Sequence, residues 1–298
     1  MMKKLPLYAV ALASAALGAF TVAPANADPL AGIANGPLTI QIQGAATNHD
    51  TWAGTNESAW DVGTITSVRN TATNQFWFAG VSTPGVYLNY IIYGIADNFI
   101  SGANEYSSGA TGGDGDGLIH LDVYESSSIA NFSAGPGTGR TAYGKYSGVT
   151  DGTLYLSFVM TPGCLIGNSS VTLCETLPDP TANPPTGSGS FYAAVTGGSA
   201  AYEFNSNGFN GGTGDISGRF AYQAALDPSL GYNAPSGNAP GMCSYSPAPT
   251  DCWNFGVTDP ISANKVPEPS SLSIMGGALA LMGAATWLRR HRKAQGAA

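Results

Sequence analysis

Apolar and polar residues alternate with a period of two along several short stretches of the chain. Successive side chains of a β-strand point to opposite faces, so this alternation predicts strands with one buried face. In TLYLSFVM, one face carries Leu154, Leu156, Phe158 and Met160. In GLIHLDVYE, we expect Ile119, Leu121 and Val123 to face inward, and the outward residues are His120, Asp122 and Tyr124.

Further stretches have strand character and are separated by clusters of Gly, Asn, Ser and Pro. They are LTIQIQ, WDVGTITSV, QFWFAGV, VYLNYIIYGI, SFYAAV, AYEFNS, ISGRFAYQAA and WNFGVT. About ten short strands with turn-rich connections predict an all-β protein. We expect an antiparallel β-sandwich that is jelly-roll-like, with a sheet closed on itself as a variant.

The N-terminus has the pattern of a secretory signal. Lys3 and Lys4 precede the apolar run LPLYAVALASAALGAFTV, and Ala25, Asn26 and Ala27 supply the small residues of a cleavage site. We expect a signal helix over residues 1–27 that is removed after Ala27, and a retained anchor is the alternative. Residues 28–265 then form the exported body, whose length suits one large β domain.

The C-terminus has the pattern of a membrane span. Eighteen residues without a charge run from Ser271 to Leu288. As a helix they would extend about 27 Å, close to the thickness of a bilayer's hydrocarbon core. A basic cluster follows and would stay in the cytoplasm. It consists of Arg289, Arg290, Arg292 and Lys293.

An extended segment precedes this span, because each proline disfavours helix in the residue before it. It consists of Val266, Pro267, Glu268 and Pro269. Together the motif, the span and the basic end resemble the PEP-CTERM sorting signal of exported bacterial proteins. The resemblance covers residues 266–298, and an ordinary single-span anchor is the alternative.

The resemblance implies an itinerary. An exosortase-like enzyme in the membrane would recognise the tail of an inner-membrane intermediate, and the product would reach the cell surface or the extracellular space. The family is associated with Gram-negative bacteria that make exopolysaccharide and biofilm. Extracellular polysaccharide is therefore a possible partner.

The exported body is acidic. Residues 28–265 contain five basic and eighteen acidic residues, a balance of −13. Binding to a phosphate backbone requires clustered Lys and Arg, so we expect no nucleic-acid partner. The same net charge argues against attraction to anionic lipid.

The four cysteines fit export. Cys164 and Cys174 bracket one short stretch, and Cys243 and Cys252 bracket another. Local pairing into two disulfides is the simplest of three connectivities. A zinc site is the competing interpretation, but the chain lacks the C-x-x-C spacing and a neighbouring His.

One segment, GGDGDGLIHLDVYE, has a candidate metal site in Asp114 and Asp116. An EF-hand needs Asp or Asn at the fifth position and Gly at the sixth, where this chain has Leu118 and Ile119. A Gly/Asp hairpin turn is the favoured alternative, because both residue types tolerate positive φ.

Catalytic motifs are sparse. The chain has no G-x-S-x-G, H-E-x-x-H or Walker-type loop, so we expect neither an enzyme nor a cofactor. The pairs His49 with Asp50 and His120 with Asp122 have the right chemistry but are common on polar surfaces. Trp52, Trp60, Trp77 and Trp253 could bind sugar rings if exposed or fill the core if buried. A structural or adhesive surface protein is the first hypothesis, and a carbohydrate-binding module or glycan hydrolase is the alternative.

Overall fold

The computed structural model describes residues 28–47, 54–101, 104–131, 135–164, 171–176, 186–224, 253, 255–267, 279 and 282. Strands dominate these residues. They are β1 (Gly36–Thr47), β2 (Ala59–Asn70), β3 (Phe76–Phe78), β4 (Tyr87–Ser101), β5 (Asn104–Gly109), β6 (Thr111–Gly112), β7 (Gly115–Asp116), β8 (His120–Ser126), β9 (Arg140–Ala142), β10 (Lys145–Tyr146), β11 (Thr153–Thr161), β12 (Leu173–Thr176), β13 (Thr186–Gly197), β14 (Ile216–Ala224) and β15 (Phe255–Lys265). Two four-residue helices, α1 (Pro136–Gly139) and α2 (Ala201–Phe204), and a 3₁₀ turn (Asn210–Gly212) lie between them.

The large sheet is antiparallel and its pairings return to their starting point. In order, β4 pairs with β8, β8 with β11, β11 with β13, and β13 with β14. The circuit continues from β14 to β15, β1, β2 and back to β4. Because every strand in the circuit has a neighbour on both sides, these strands leave few unpaired edges.

Two long strands take part in a second path. The first half of β4 pairs with β8 over Tyr87–Tyr93, whereas its second half pairs with β5 over Ile95–Ser101. Likewise, β13 pairs with β11 through Tyr192–Gly197 and with β12 through Gly189–Phe191. Since β5 also pairs with β12, two pairs of strands lie between β4 and β13. The pair of β8 and β11 lies at one end, and the pair of β5 and β12 lies at the other.

The interior of the circuit holds the main core. Its inward residues alternate along each strand, as the period-two pattern predicts. They include Leu38, Ile40, Ile42, Ile65, Leu88, Tyr90, Ile92, Leu121, Val123, Leu156, Phe158, Met160, Phe191, Ile261 and Ala263. A second core lies on the outer face, where the segment between β8 and β11 covers β1, β2, β4 and β8. It includes Ala45, Trp60, Val62, Ile91, Tyr124, Tyr146, Val149 and Trp253.

Most of the predicted faces are confirmed. Leu156, Phe158 and Met160 are buried, but Leu154 is exposed because a bulge between Leu154 and Leu156 changes the alternation. Ile119, Leu121 and Val123 are buried, as expected. Asp122 and Tyr124 do lie on the opposite face, yet both are buried beneath the covering segment.

The strand predicted for AYEFNS is wrong. Ala201–Phe204 forms α2, in which the Asn205 N–H donates to the Ala201 carbonyl at 3.2 Å. This turn directs Glu203 and Phe204 into the protein, where both are buried. A tertiary contact of Glu203, described below, outweighs the weak local preference for strand.

The predicted terminal signals lie largely outside the described residues. All of the predicted signal helix, residues 1–27, is outside them. In the span, only Leu279 and Met282 are described, and both are helical and exposed. Across the described parts of the chain, no helix is both long enough and apolar enough for a membrane crossing.

Candidate functional sites

The junction between the body and the tail is built around Lys265, the last residue of β15. Its ammonium group is buried and lies 2.9 Å from Glu203 Oε2 and 3.6 Å from an Asp28 carboxylate oxygen. It also donates hydrogen bonds to the carbonyls of Leu30 at 2.7 Å and Ile33 at 3.3 Å. A buried ammonium needs such partners, because an uncompensated charge in the interior is costly.

The predicted sorting motif begins at Val266, directly after Lys265. The Val266 N–H donates to the Glu203 carbonyl at 2.7 Å, and Pro267 is exposed. Glu268 and Pro269 lie outside the described residues, as do the basic residues 289–293. Within the described residues of this segment, exposure thus rises from the buried Lys265 through the half-buried Val266 to the exposed Pro267.

Asp28, the first described residue, lies at the same place, beside the Lys265 ammonium group. Asp28, the residue after the predicted cleavage site, accepts a hydrogen bond from the Tyr155 hydroxyl at 2.5 Å. Both predicted signals are therefore attached to one end of the body.

A polar and aromatic cluster lies on the outer face of β4 and β8. Tyr93 stacks on His120 with ring centroids 4.8 Å apart and contacts Tyr143 edge-on at 5.1 Å. His120 Nε2 lies 3.1 Å from Asp116, and the Tyr93 hydroxyl donates to Asp122 at 3.2 Å. The sequence suggested a pair of His120 with Asp122, but His120 pairs with Asp116 instead.

Burial controls the protonation of this cluster. It raises the pKa of Tyr143 to about 12, with Glu57 and Asp116 adding to the effect. It also raises the pKa of Tyr93, which the neighbouring Asp122 raises further. Partial burial opposes ionisation of Asp116, but the hydrogen bond from His120 and its charge lower the pKa of Asp116 overall. Both hydroxyls therefore stay protonated at pH 7, and that of Tyr93 donates to Asp122.

The candidate metal pair belongs to a hairpin formed by β6 and β7. Gly112 and Gly113, at its turn, have φ of 93° and 53°. Asp114 is exposed, and Asp116 accepts hydrogen bonds from His120 and from the Leu118 N–H. Among the described residues, no group of three or more His, Cys, Asp or Glu side chains could hold a metal ion.

The tryptophans fill the core wherever the structure describes them. Trp60, Trp77 and Trp253 are at most 2% exposed, and Trp60 packs against Trp253 with centroids 5.0 Å apart. Trp52 and His49 lie outside the described residues. The buried Arg140 guanidinium lies 4.5 Å from the Trp60 ring and 2.7 Å from Glu57, so this pair supports the outer core.

Two exposed aromatic rings lie side by side on β3 and are not among the residues predicted for a site from the sequence. Phe76 and Phe78 are parallel, with centroids 5.6 Å apart, and Arg69 lies 5.4 Å above the Phe76 ring. The available signal was the alternation in QFWFAGV, which places both rings on the face opposite the buried Trp77.

Cys164 and Cys174 form a disulfide, with Cα atoms 5.9 Å apart. This bond confirms local pairing for the first cysteine pair and fits an oxidising, extracytoplasmic compartment. Cys243 and Cys252 lie outside the described residues.

Comparison of the chain with known protein families, with curated proteins and with solved structures finds no match. The proposed function therefore rests on the residues and their geometry.

Proposed function

We propose that the protein is an exported, non-enzymatic surface or matrix protein that is sorted through its PEP-CTERM-like tail. The observation that carries this proposal is the junction at Lys265: a buried, ion-paired lysine is followed, two residues later, by the exposed Pro267. A processing enzyme needs an extended, accessible segment beside a fixed body. The partner would be an exosortase-like enzyme, acting on an inner-membrane intermediate.

The body has features that suit a structural or adhesive role outside the cell. A disulfide joins Cys164 to Cys174, and each strand of the circuit pairs with a strand on both sides. Exposed edges promote aggregation, so their pairing favours stability at high local concentration. We propose that the closed sheet is flattened into two packed layers, the jelly-roll-like sandwich that the strand pattern predicts.

A second candidate function is carbohydrate binding at the cluster of Tyr93, His120 and Tyr143. Its half-buried rings lie beside Asp116, and sugar recognition commonly combines aromatic faces with acceptors of this kind. If the protein binds extracellular polysaccharide and Tyr143→Ala abolishes the binding, this role is favoured. A hydrolase would also require the carboxylates of Asp116 and Asp122 to act on one bond.

The sorting proposal is tested by mass mapping of the C-terminus, on protein recovered separately from membranes and from culture medium. We expect the released form to end near Pro267 to Pro269, with no peptides from Leu272 onward. Combined replacement of Pro267, Glu268 and Pro269 by alanine should prevent release, whereas Ser270→Ala with Ser271→Ala should not. An intact tail ending at Ala298, found only in membranes, would contradict the proposal.

A further inference from the structure

The circuit of strands has two ends, one of which carries the tail. Here the tail end means the starts of β1, β4, β11 and β14 together with the ends of β2, β8, β13 and β15. The antiparallel registers place these strand ends together, as in the pairing of Gly36 with Lys265. Val266, the first residue of the predicted tail, follows β15 at this end.

Exposed apolar side chains concentrate at the tail end. In the described part of residues 28–267, seven large apolar side chains are exposed, and only Leu118 lies away from this end. The other six are Phe76, Phe78, Val81, Ile129, Leu154 and Tyr202. They lie on β3, at the start of β11, or in connections that follow β3, β8 and β13. Scattered exposed apolar residues are ordinary, but six at one end form a polarised surface.

The part of this surface on β3 is the most prominent. Phe76 and Phe78 are 48% and 46% exposed, and Val81, in the next connection, is 73% exposed. The Arg69 guanidinium lies over the Phe76 ring and donates to Asn74 at 2.7 Å. Aromatic rings beside a guanidinium suit a boundary between water and apolar material.

Carboxylates lie at both ends of the body. At the tail end, Glu203 and Asp215 are buried, and Asp28 lies beside Lys265. Asp151 is exposed there and Glu125 is half-buried. At the other end, Asp114 and Asp116 are exposed and Glu175 is half-buried. The two ends therefore differ in their exposed apolar side chains and not in charge.

The length of the connecting chain limits the distance of this end from a membrane. Five residues, 266–270, separate Lys265 from the first residue of the predicted span. Fully extended, they reach at most about 18 Å. If the span is inserted, the tail end is the part of the body that must lie beside the lipid headgroups.

We propose that the tail end is a membrane-contact surface, on which Phe76, Phe78 and Val81 enter the headgroup region of a bilayer. This inference rests on the proposed insertion of the span. The net charge of the body argues against attraction to anionic lipid, so the contact depends on burial of the apolar side chains. The contact holds Pro267 and the rest of the motif at the interface, where a membrane enzyme acts.

The test uses the full chain in nanodiscs of phosphatidylethanolamine and phosphatidylglycerol. A nitroxide amino acid is introduced singly at Val81, Phe78, Leu118 or Leu279, and its collision rates with oxygen and with a water-soluble nickel complex are measured. Leu118 is the matched control, since it is an exposed apolar residue away from the tail end. Leu279 reports insertion of the span. Val81 tolerates the label best, because it is the most exposed of the four.

We expect a several-fold higher ratio of oxygen to nickel collisions at positions 78 and 81 than at 118, with the highest ratio at 279. If 279 lies in lipid while 78 and 81 resemble 118, the membrane-contact inference is refuted and the sorting proposal stands. If 279 is itself in water, both fail. If positions 78 and 81 are shielded from the nickel complex only after a polysaccharide is added, the tail end binds glycan and not membrane.

Discussion

Replacing Lys265 by methionine should destabilise the body strongly. The substitution keeps the length of the apolar stem but removes the ammonium group from Glu203, at 2.9 Å, and from the Leu30 carbonyl, at 2.7 Å. The Lys265 and Glu203 side chains are 7% and 1% exposed, so solvent screens their interaction little. Loss of one partner of such a buried pair costs about 3 to 5 kcal/mol.

For a body of this size, that loss corresponds to a decrease of roughly 6 to 20 °C in the unfolding midpoint. Thermal and urea unfolding of the full chain in mild detergent, followed by tryptophan fluorescence, measures it through the buried Trp60 and Trp253. Arg219→Met is the control, since Arg219 is exposed and its loss should change stability by less than about 0.5 kcal/mol.

A double variant separates the ion pair from general packing. Lys265→Met combined with Glu203→Gln removes both charges, so it should recover part of the stability that Lys265→Met loses. A loss below about 1 kcal/mol for Lys265→Met alone would refute the reasoning, because exposed pairs give values in that range.

Three further changes test the interior and the disulfide. Burial raises the pKa of Asp61, so the stability that its neutral form contributes below about pH 4 is lost as the pH rises through the raised pKa. Asp61→Asn should therefore stabilise the protein at pH 7 in urea unfolding. Equal stability of the variant and the unchanged protein from about pH 4 to pH 7 would contradict this. Gly44→Ala places a Cβ against the Tyr90 hydroxyl and the Val62 carbonyl and should cost about 1 to 3 kcal/mol in urea unfolding, whereas Gly32→Ala, with open space, should be nearly neutral. Replacing Cys164 and Cys174 by serine should cost about 2 to 3 kcal/mol, and an unchanged midpoint would show that the bond does not constrain the unfolded chain.

Several features could be predicted from the sequence because they depend on neighbours along the chain. Alternation with period two assigned Leu121 and Val123 to the interior, since the pleat of a strand has that period wherever the strand lies. The Cys164–Cys174 bond closes a loop of ten residues, so proximity in sequence sufficed. The two terminal patterns and the acidic balance are likewise properties of local composition, and the sorting role remains a prediction.

Other features depend on which strands become neighbours, and local pattern carries no information about that. The sequence stretch AYEFNS became α2 because Glu203 meets Lys265, a partner 62 positions away. His120 pairs with Asp116 across a turn, and the covering segment between β8 and β11 buries Asp122, although alternation places it outward.

The sequence by itself therefore determined the strand class, the inward faces and the predicted signals at both termini. Only the tertiary structure decided that the strands close a circuit, that Asp28 lies beside Lys265, and that exposed apolar side chains concentrate at the tail end. The physical reason is that pairing between distant strands is selected by the burial and hydrogen bonding of the whole body, which no short segment can satisfy alone.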